Sequence, residues 1–343
     1  MKYSLLNAFF LVSFMGADVP TPPAWTWLYK KTFTAAEKAC HAYRSSLFFS
    51  KEDTPQFNQL IFSWNAFRPE KGFYRFKARV RNAKTKKWYS WHTMAEWGND
   101  VQRSFLEKSL WGTQFFHVRL ELPVHHYADA LAIKVEAVDG ATCADLHGLY
   151  VSVSNLQLFS HESVQQLEPL HSLHIRTVPA LSQMLLDHPK KEVLCSPTSC
   201  SMLISYLTKN KVNPVEFATR AHDKGLDAYG SWPFNSAHAF ELCKGNYGFY
   251  VQRLPSFAAL YKYIQRKIPV VVSVRGALKG APKDYNDGHL LVVVGWDAYT
   301  KKVICHDPAF DSLDKTCIAY DAEAFLKAWE CSRRLSYIAQ PLS

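Results

Sequence analysis

The sequence predicts an α+β protein in which an antiparallel β region precedes a region of mixed helices and strands. Three observations carry this prediction. The chain has 343 residues, of which 48% are apolar, and this length suits two hydrophobic cores better than one. Apolar and polar residues alternate between about residues 55 and 160. After about residue 165 the apolar spacing changes to that of helices.

Strict alternation marks three segments of the first region. One apolar face per segment predicts half-buried strands, and several such strands in series predict a β-sandwich. The segments are 73–81, 116–122 and 131–137. Four tryptophans in this region fit either the core or a sugar-binding surface, and the core is favoured because aromatic residues favour strands. They are Trp64, Trp88, Trp91 and Trp97.

Helical spacing begins after Pro197, where apolar residues recur at i, i+3, i+4 and i+7 from Cys200 to Leu207. A second helix is predicted after Ser256, which is a good N-cap residue. Continuous β-branched runs then predict buried strands. These runs are 268–274, 290–294 and 303–305.

A polar stretch from about 160 to 173 is interpreted as a linker, although its leucines leave room for a short helix. The predicted organisation is therefore a signal peptide over 1–17, a β-sandwich accessory domain over 18–165 and an α+β domain over 175–343.

The first residues have the layout of a secretory signal. Lys2 precedes an apolar run from Leu5 to Met15, which ends in the small pair Gly16–Ala17 and is too short to span a bilayer. This predicts a secreted or periplasmic protein, and the alternative is a buried N-terminal segment. Since no other apolar stretch is long enough, the sequence predicts no stable membrane span.

The net charge of +10 comes from 40 Lys and Arg against 30 Asp and Glu, spread along the chain. Without a long basic run, no nucleic-acid partner is predicted. The excess fits a solvated surface, or attraction to an anionic cell envelope or glycan through the β domain. Eight cysteines permit disulfides in an exported chain, but their spacing lacks a CxxC pair. No metal or cofactor is therefore predicted.

Cys195 is the candidate nucleophile. Proline is tolerated only in the first turn of a helix, so Pro197 places Cys195 at or just before a helix N-terminus. The free amides and the helix dipole there favour a thiolate. Cys200 lies on the apolar stripe of the same helix and is expected to be inert.

His289 is the candidate base that would return the proton when the thiolate attacks an acyl carbon. Because it opens an apolar strand, the alternative is a core or strand-end histidine without a catalytic role. The following strand ends in His306–Asp307, and a short loop makes the two strands a hairpin. If paired residue numbers sum to an even value, Asp307 shares the face of His289 and can orient its ring. An odd register would bring His306 there instead. Gln183 could add a side-chain amide to an oxyanion site.

At these residues the sequence resembles the peptidase C39-like family of papain-type cysteine peptidases, in a bacterial secreted form with a preceding β-sandwich. The resemblance covers about 178–338 and rests on Gln183, the run Cys195–Ser199, Gly288–His289 and Asp307–Pro308. It implies a papain-like catalytic domain that acts on a peptide or protein substrate through a Cys195, His289 and Asp307 triad with Gln183 at the oxyanion.

The resemblance also implies a substrate cleft lined by the loop around Trp232 and Asn235, with Gly288 and Ser196 as further substrate-binding residues. Ser196 stands where the family usually has Gly. It is expected either to cap the helix or to point into the cleft. The favoured function is a cysteine peptidase or amidase that forms a thioester. The alternatives are an acyl transferase with the same triad and an inactive binding protein.

Overall fold

The structure is a computed structural model that describes residues 24–109, 112–167 and 170–342. The expected signal peptide, residues 1–17, lies outside the described residues, so export stays a prediction. Within the described ranges, no helix combines the length and the apolar character needed to cross a membrane.

Eleven strands and one short helix form the N-terminal part of the described chain. They are β1 (Thr26–Thr32), α1 (Ala35–His41), β2 (Ser46–Lys51), β3 (Gln59–Ala66), β4 (Phe73–Asn82), β5 (His92–Gly98), β6 (Gln102–Ser104), β7 (Glu107–Lys108), β8 (Gln114–Phe116), β9 (Arg119–Glu121), β10 (Ala128–Val138) and β11 (Leu146–Ser154). They build two antiparallel sheets, with strand orders β1-β11-β3-β9-β8-β7 and β2-β10-β4-β5-β6.

Alternate side chains from the two sheets share one hydrophobic cluster. The apolar face of β4 is fully buried at Tyr74, Phe76 and Val80, as its alternation predicts. Trp64 of β3 stacks on Phe76 with ring centroids 4.0 Å apart. Trp64 and Trp97 are both completely buried, which confirms the core interpretation for these two residues.

The other two tryptophans differ from that interpretation. Trp88 and Trp91 are only half-buried, and both rings contact the guanidinium of Arg79, whose Cζ lies 4.7 Å and 4.5 Å from the two ring centroids. Arg79 belongs to the polar side of β4, so these rings cover the outer face of the sheet rather than its core.

The segment 116–122 was expected to be one strand, and this expectation is wrong. β8 ends at Phe116, β9 begins at Arg119, and the two pair as a hairpin through a two-residue turn at His117 and Val118. The turn has φ angles of +43° and +57°. The alternation of apolar residues survives across the turn, but no Gly or Asn marks it, which is why the sequence pattern concealed it.

Thirteen elements form the C-terminal part of the described chain. They are β12 (Leu173–His174), α2 (Cys195–Thr208), α3 (Pro214–Ala221), α4 (Trp232–Leu242), β13 (Tyr247–Arg253), α5 (Phe257–Gln265), β14 (Val270–Gly276), β15 (Tyr285–Asp297), β16 (Lys302–His306), α6 (Leu313–Thr316), β17 (Cys317–Asp321), α7 (Ala322–Cys331) and β18 (Leu335–Pro341). The antiparallel sheet has the order β13-β18-β14-β15-β16-β17, with β12 paired to β15. The predicted α+β class is confirmed.

The predicted helices and strands of this region are present. Ser256 caps α5 by accepting a hydrogen bond from the Ala259 amide at 3.1 Å. The run 290–294 lies inside β15 and is almost fully buried. The polar stretch near residue 160 is held in place, because the buried Arg334 donates to the Ser160 carbonyl at 2.7 Å. It is therefore not a loose linker at that point.

The two parts of the chain meet along β13, which is the edge strand of its sheet. Asn65 of β3 donates to the Phe249 carbonyl at 2.6 Å and accepts from the Phe249 amide at 3.1 Å. Ser63 accepts from the Val251 amide at 3.1 Å. Polar side chains of β3 thus form the hydrogen bonds with the β13 backbone that a neighbouring strand would otherwise form.

Candidate active site

Cys195 is the first residue of α2, as Pro197 predicts, and its side chain is partly accessible. The helix start leaves the first amides of α2 without intrahelical partners. One turn later, Ser199 donates to the Leu290 carbonyl at 3.0 Å. This bond fixes the helix start against β15, directly beside His289.

A β-bulge decides which side chain of β16 accompanies His289. Near the turn the register of β15 and β16 is odd, with Asp297 opposite Lys302. The register shifts at Val294, so that Val292 lies opposite His306 and the sum becomes even. Asp307 consequently shares the face of His289. The Nε2 atom of His289 lies 2.8 Å from Asp307 Oδ1.

Asp307 is completely buried and its carboxylate is fully satisfied. Its Oδ2 atom accepts hydrogen bonds from the hydroxyls of Tyr285 and Tyr320, each at 2.6 Å. Its Oδ1 atom also accepts from the Ala309 amide at 2.9 Å. Tyr285 stacks on the His289 ring with a centroid distance of 4.1 Å. The sequence assigned no role to either tyrosine, because distant hydroxyls leave no spacing signal.

The site favours a thiolate and an imidazolium. Burial alone would lower the pKa of His289, but the charge and hydrogen bond of Asp307, together with Cys195, raise that pKa to about 9. Burial would raise the pKa of the Cys195 thiol. The hydrogen bond and charge of His289 and the amides of Leu290 and Ser196 outweigh burial and lower that pKa. The pKa of Asp307 is lowered because its charged partner and hydroxyl donors outweigh burial.

Cys200 provides an internal contrast on the same helix. It is 3% exposed, and burial raises the pKa of its thiol. None of the eight cysteines, all within the described ranges, forms a disulfide. In the same ranges no group of three or more His, Cys, Asp or Glu side chains is arranged to hold a metal ion.

Gln183 lies at the site but is engaged with the chain before the nucleophile. Its side-chain amide donates to the carbonyls of Lys191 and Glu192 at 2.9 Å and 2.8 Å. Its backbone amide donates to the Pro308 carbonyl at 2.8 Å. Gln183 therefore ties the loop that leads into Cys195 to the segment that carries Asp307. To donate to an oxyanion, the Gln183 side chain would have to give up one of its two hydrogen bonds to the Lys191 and Glu192 carbonyls.

Ser196 neither caps α2 nor lines a cleft, so both expectations for it are wrong. The N-cap position is Leu194, which makes no side-chain capping bond. Ser196 is completely buried, and its hydroxyl lies 3.0 Å from the hydroxyl of Tyr337 in β18. Its Cβ points into the core because the residue is already inside the first helical turn.

A cleft of about 390 Å³ lies between the two parts of the chain. Trp232 lines it, and its role as a substrate-binding residue stays a prediction. Asn235 does not reach it, because that side chain is fully buried and donates to the carbonyls of Tyr229 and Ser231. Gly288 is half-buried beside His289 and has a φ of +91°, a conformation that favours glycine.

Comparison with known proteins gives one family match. Residues 175–337 match the model of the Peptidase_C39 like family. This confirms the resemblance found in the sequence for the C-terminal region. A search of curated proteins found no match.

Three solved structures are similar to about half of the chain. A crystal structure described as a C39-like peptidase from Bacillus anthracis is 20% identical, with 50% of this chain and 100% of that chain covered and a TM-score of 0.38. Xylellain, a cysteine protease from Xylella fastidiosa, is 9% identical over 54% and 91%, with a TM-score of 0.34. The Carica candamarcensis cysteine protease CMS1MS2, in complex with E-64, is 12% identical over 50% and 99%, with a TM-score of 0.35.

Proposed function

We propose, from the family match of residues 175–337 and from the site beside α2, that this chain is a cysteine peptidase that hydrolyses peptide or amide bonds. One observation carries the proposal. A thiol at a helix start is hydrogen-bonded to a histidine whose other ring nitrogen is held by a buried carboxylate. That sequence of contacts is what nucleophilic catalysis by cysteine requires.

In the proposed reaction the Cys195 thiolate attacks the carbonyl carbon, and the carbonyl oxygen takes the negative charge near the first amides of α2. His289 then donates its Nδ1 proton to the leaving nitrogen as the C–N bond breaks. Asp307 keeps the ring oriented through Nε2 and stabilises its charge. The product of this half-reaction is a thioester on Cys195 and a free amine.

In the second half-reaction the neutral His289 takes a proton from water, and the resulting hydroxide attacks the thioester. The C–S bond breaks, the carboxylic acid leaves and the thiolate–imidazolium pair is restored. The position of Ser196 supports activity. Its hydroxyl is bonded to Tyr337 in the core, so it does not occupy the reaction site.

We further propose that the C-terminal region adopts the papain-like arrangement and that the two N-terminal sheets form a β-sandwich accessory domain. The helix start that carries the thiol and the sheet that carries His289 and Asp307 support the first point. The hydrophobic cluster shared by the two N-terminal sheets supports the second.

A matched pair of variants tests the peptidase proposal. Cys195→Ala should lower kcat/KM for peptide cleavage by roughly four orders of magnitude or more. Cys200→Ala should retain turnover, since its thiol is buried core on the same helix. Mass spectrometry of protein trapped during turnover should show the acyl adduct on Cys195. Equal activity of the Cys195→Ala and wild-type proteins would refute the proposal.

A further inference from the structure

The cleft between the two parts of the chain lies beside the proposed reaction site. One wall is the tip of the β8–β9 hairpin, at residues 116–119. The opposite wall is the loop 226–232 that leads into α4, together with Arg275 and Asp287. Asp287 is two residues before His289 along β15, so this wall of the cleft belongs to the strand that carries the proposed base.

Arg275 brings a positive charge from the cleft towards His289. It is exposed at the end of β14 and has no ion-pair partner among the residues that the structure describes. A Cβ placed on Gly288 would lie 3.8 Å from Arg275 Nη2. The guanidinium therefore lies over the backbone immediately before His289, where glycine leaves room for it.

Arg119 brings a second positive charge from the N-terminal hairpin. It lines the cleft and its guanidinium lies 5.8 Å from the ring centroid of Trp232. Its Nε atom forms an ion pair with Glu121 Oε1 at 2.9 Å. Burial and the charges of Arg119 and Arg275 lower the pKa of His117 at the hairpin tip, against the opposing charge of Glu121. Asp287 is the carboxylate among the residues that line the cleft.

The hairpin tip holds an uncommon conformation. His117 and Val118 both have positive φ, at +43° and +57°, in a turn type that favours Asn and Gly. Such backbone conformations persist where the surroundings hold them, and they concentrate at ligand sites. Val118 is 6% exposed and packs in the N-terminal core, so its burial anchors the tip in the cleft wall.

We propose that this cleft is a subsite for a carboxylate of the substrate, bound between Arg119 of the N-terminal hairpin and Arg275 beside the proposed base. Planar guanidiniums match carboxylates through paired hydrogen bonds, and Trp232 provides an apolar surface for the adjoining substrate chain. The inference rests on the proposed peptidase function and specifies its substrate class. The carboxylate can belong to an Asp or Glu side chain or to a chain terminus.

Cleavage of a proteome-derived peptide library, read by mass spectrometry, tests the subsite on both sides of the scissile bond. Wild-type protein should enrich Asp and Glu at one fixed position, or cut at a fixed distance from the C-terminal carboxylate. The two patterns distinguish the two sources. A synthetic Glu and Gln peptide pair, or a free-acid and amide pair, then measures the preference in kcat/KM.

The wild-type preference should be about tenfold, the value of one charge-assisted hydrogen bond. It should fall to about twofold or less in Arg275→Gln and Arg119→Gln, read as the ratio of kcat/KM for the acidic and the neutral peptide in each variant. Arg44→Gln is the matched control, because Arg44 is exposed and does not line the cleft. Cleavage with no acidic preference, or a preference that survives both substitutions, would overturn the inference alone. Absence of any Cys195-dependent cleavage would overturn it together with the peptidase proposal.

Discussion

At the scale of single residues, Ser196 has a structural role that can be separated from chemistry. Its hydroxyl and that of Tyr337 are 3.0 Å apart, and both residues are buried. Ser196→Ala leaves the tyrosine hydroxyl unpaired and should reduce the free energy of unfolding by about 1–3 kcal/mol. The alkylation rate of Cys195 should stay close to that of the wild type, because the Ser196 hydroxyl is engaged with Tyr337.

Chemical denaturation of Ser196→Ala, Tyr337→Phe and the double variant provides the measurement. The double variant should lose less stability than the sum of the two single variants, since both partners of one bond are removed. Additive losses, or a marked change in alkylation, would contradict the structural role.

The pH dependence of turnover should report the charge on His289. In the proposed reaction this residue must carry a proton to release the amine, and its pKa is raised to about 9. Turnover should therefore fall as the pH rises through about 9. Asp307 supplies the charge that raises this pKa, so Asp307→Asn should move the alkaline limb to lower pH and reduce kcat.

A pH profile of kcat/KM for the two proteins measures this shift. Glu323→Gln, an exposed carboxylate at the start of α7, is the control and should leave the limb in place. An alkaline limb at the same pH in Asp307→Asn would show that Asp307 does not set the charge on His289.

The site residues differ in how far the sequence could predict them. Pro197 fixed the helix start by a backbone rule, so the position of Cys195 followed from local sequence alone. Tyr285 and Tyr320 were beyond reach, because their shared contact with Asp307 is made by folding and not by spacing. Ser196 was misjudged because a serine near a helix start fits a cap, whereas the true cap position is one residue earlier than Cys195.

At the scale of secondary-structure elements, one extra residue in β15 decides which side chain of the β16 end faces His289 in the proposed triad. The odd register near the turn would bring His306 to the face of His289. The bulge at Val294 reverses this before the strand reaches the site. Val294 is one of several apolar residues in a row, so its residue type does not indicate that a bulge occurs there. The sequence could state the two registers but could not choose between them on physical grounds.

The β8–β9 hairpin should be more stable when residue 117, at its tip, is of a type that tolerates a positive φ angle. His117 has a φ of +43°, and Asn adopts positive φ more readily than His. His117→Asn should therefore raise the free energy of unfolding by about 0.5–1 kcal/mol. Val118 should be kept, because its side chain is buried in the core.

Thermal and chemical denaturation test the hairpin prediction. His126→Asn is the control, since His126 is exposed in a neighbouring turn and its φ is not positive. Loss of stability in His117→Asn would mean that contacts of the imidazole outweigh the strain of its backbone.

At the scale of the whole molecule, side chains of the N-terminal strand β3 satisfy the edge of the C-terminal sheet. The Asn65 side chain satisfies both backbone groups of Phe249 on the edge strand β13. Asn65→Leu leaves these groups buried and unpaired, and should lower the free energy of unfolding by about 2–5 kcal/mol. Ser63→Ala, which removes one bond to β13, should have a smaller effect in the same direction.

Hydrogen exchange along β13 measures this coupling directly. The Phe249 amide should exchange faster in Asn65→Leu, and the Val251 amide should exchange faster in Ser63→Ala. Amides of β14, inside the sheet, should be affected less. Unchanged protection of β13 in Asn65→Leu would show that the N-terminal sheets do not support the edge strand.

The change of period near residue 165 correctly separated two regions of different secondary structure, because periodicity reports which faces are buried. It could not show how the regions meet. Ser63 and Asn65 lie among apolar residues of the strand β3. Their partners in β13, Val251 and Phe249, are 188 and 184 positions away in the sequence. Contacts at such separation leave no local pattern.

The central claim is that Cys195 exists as a thiolate paired with the His289 imidazolium. Site-resolved alkylation by iodoacetamide near pH 6 tests it most directly, with the exposed Cys40 of the same molecule as the internal reference. Cys195 should react at least tenfold faster than Cys40, because an ordinary thiol with a pKa of about 8.5 is mostly protonated at that pH. Reaction of Cys195 at the rate of Cys40 or more slowly would contradict the account.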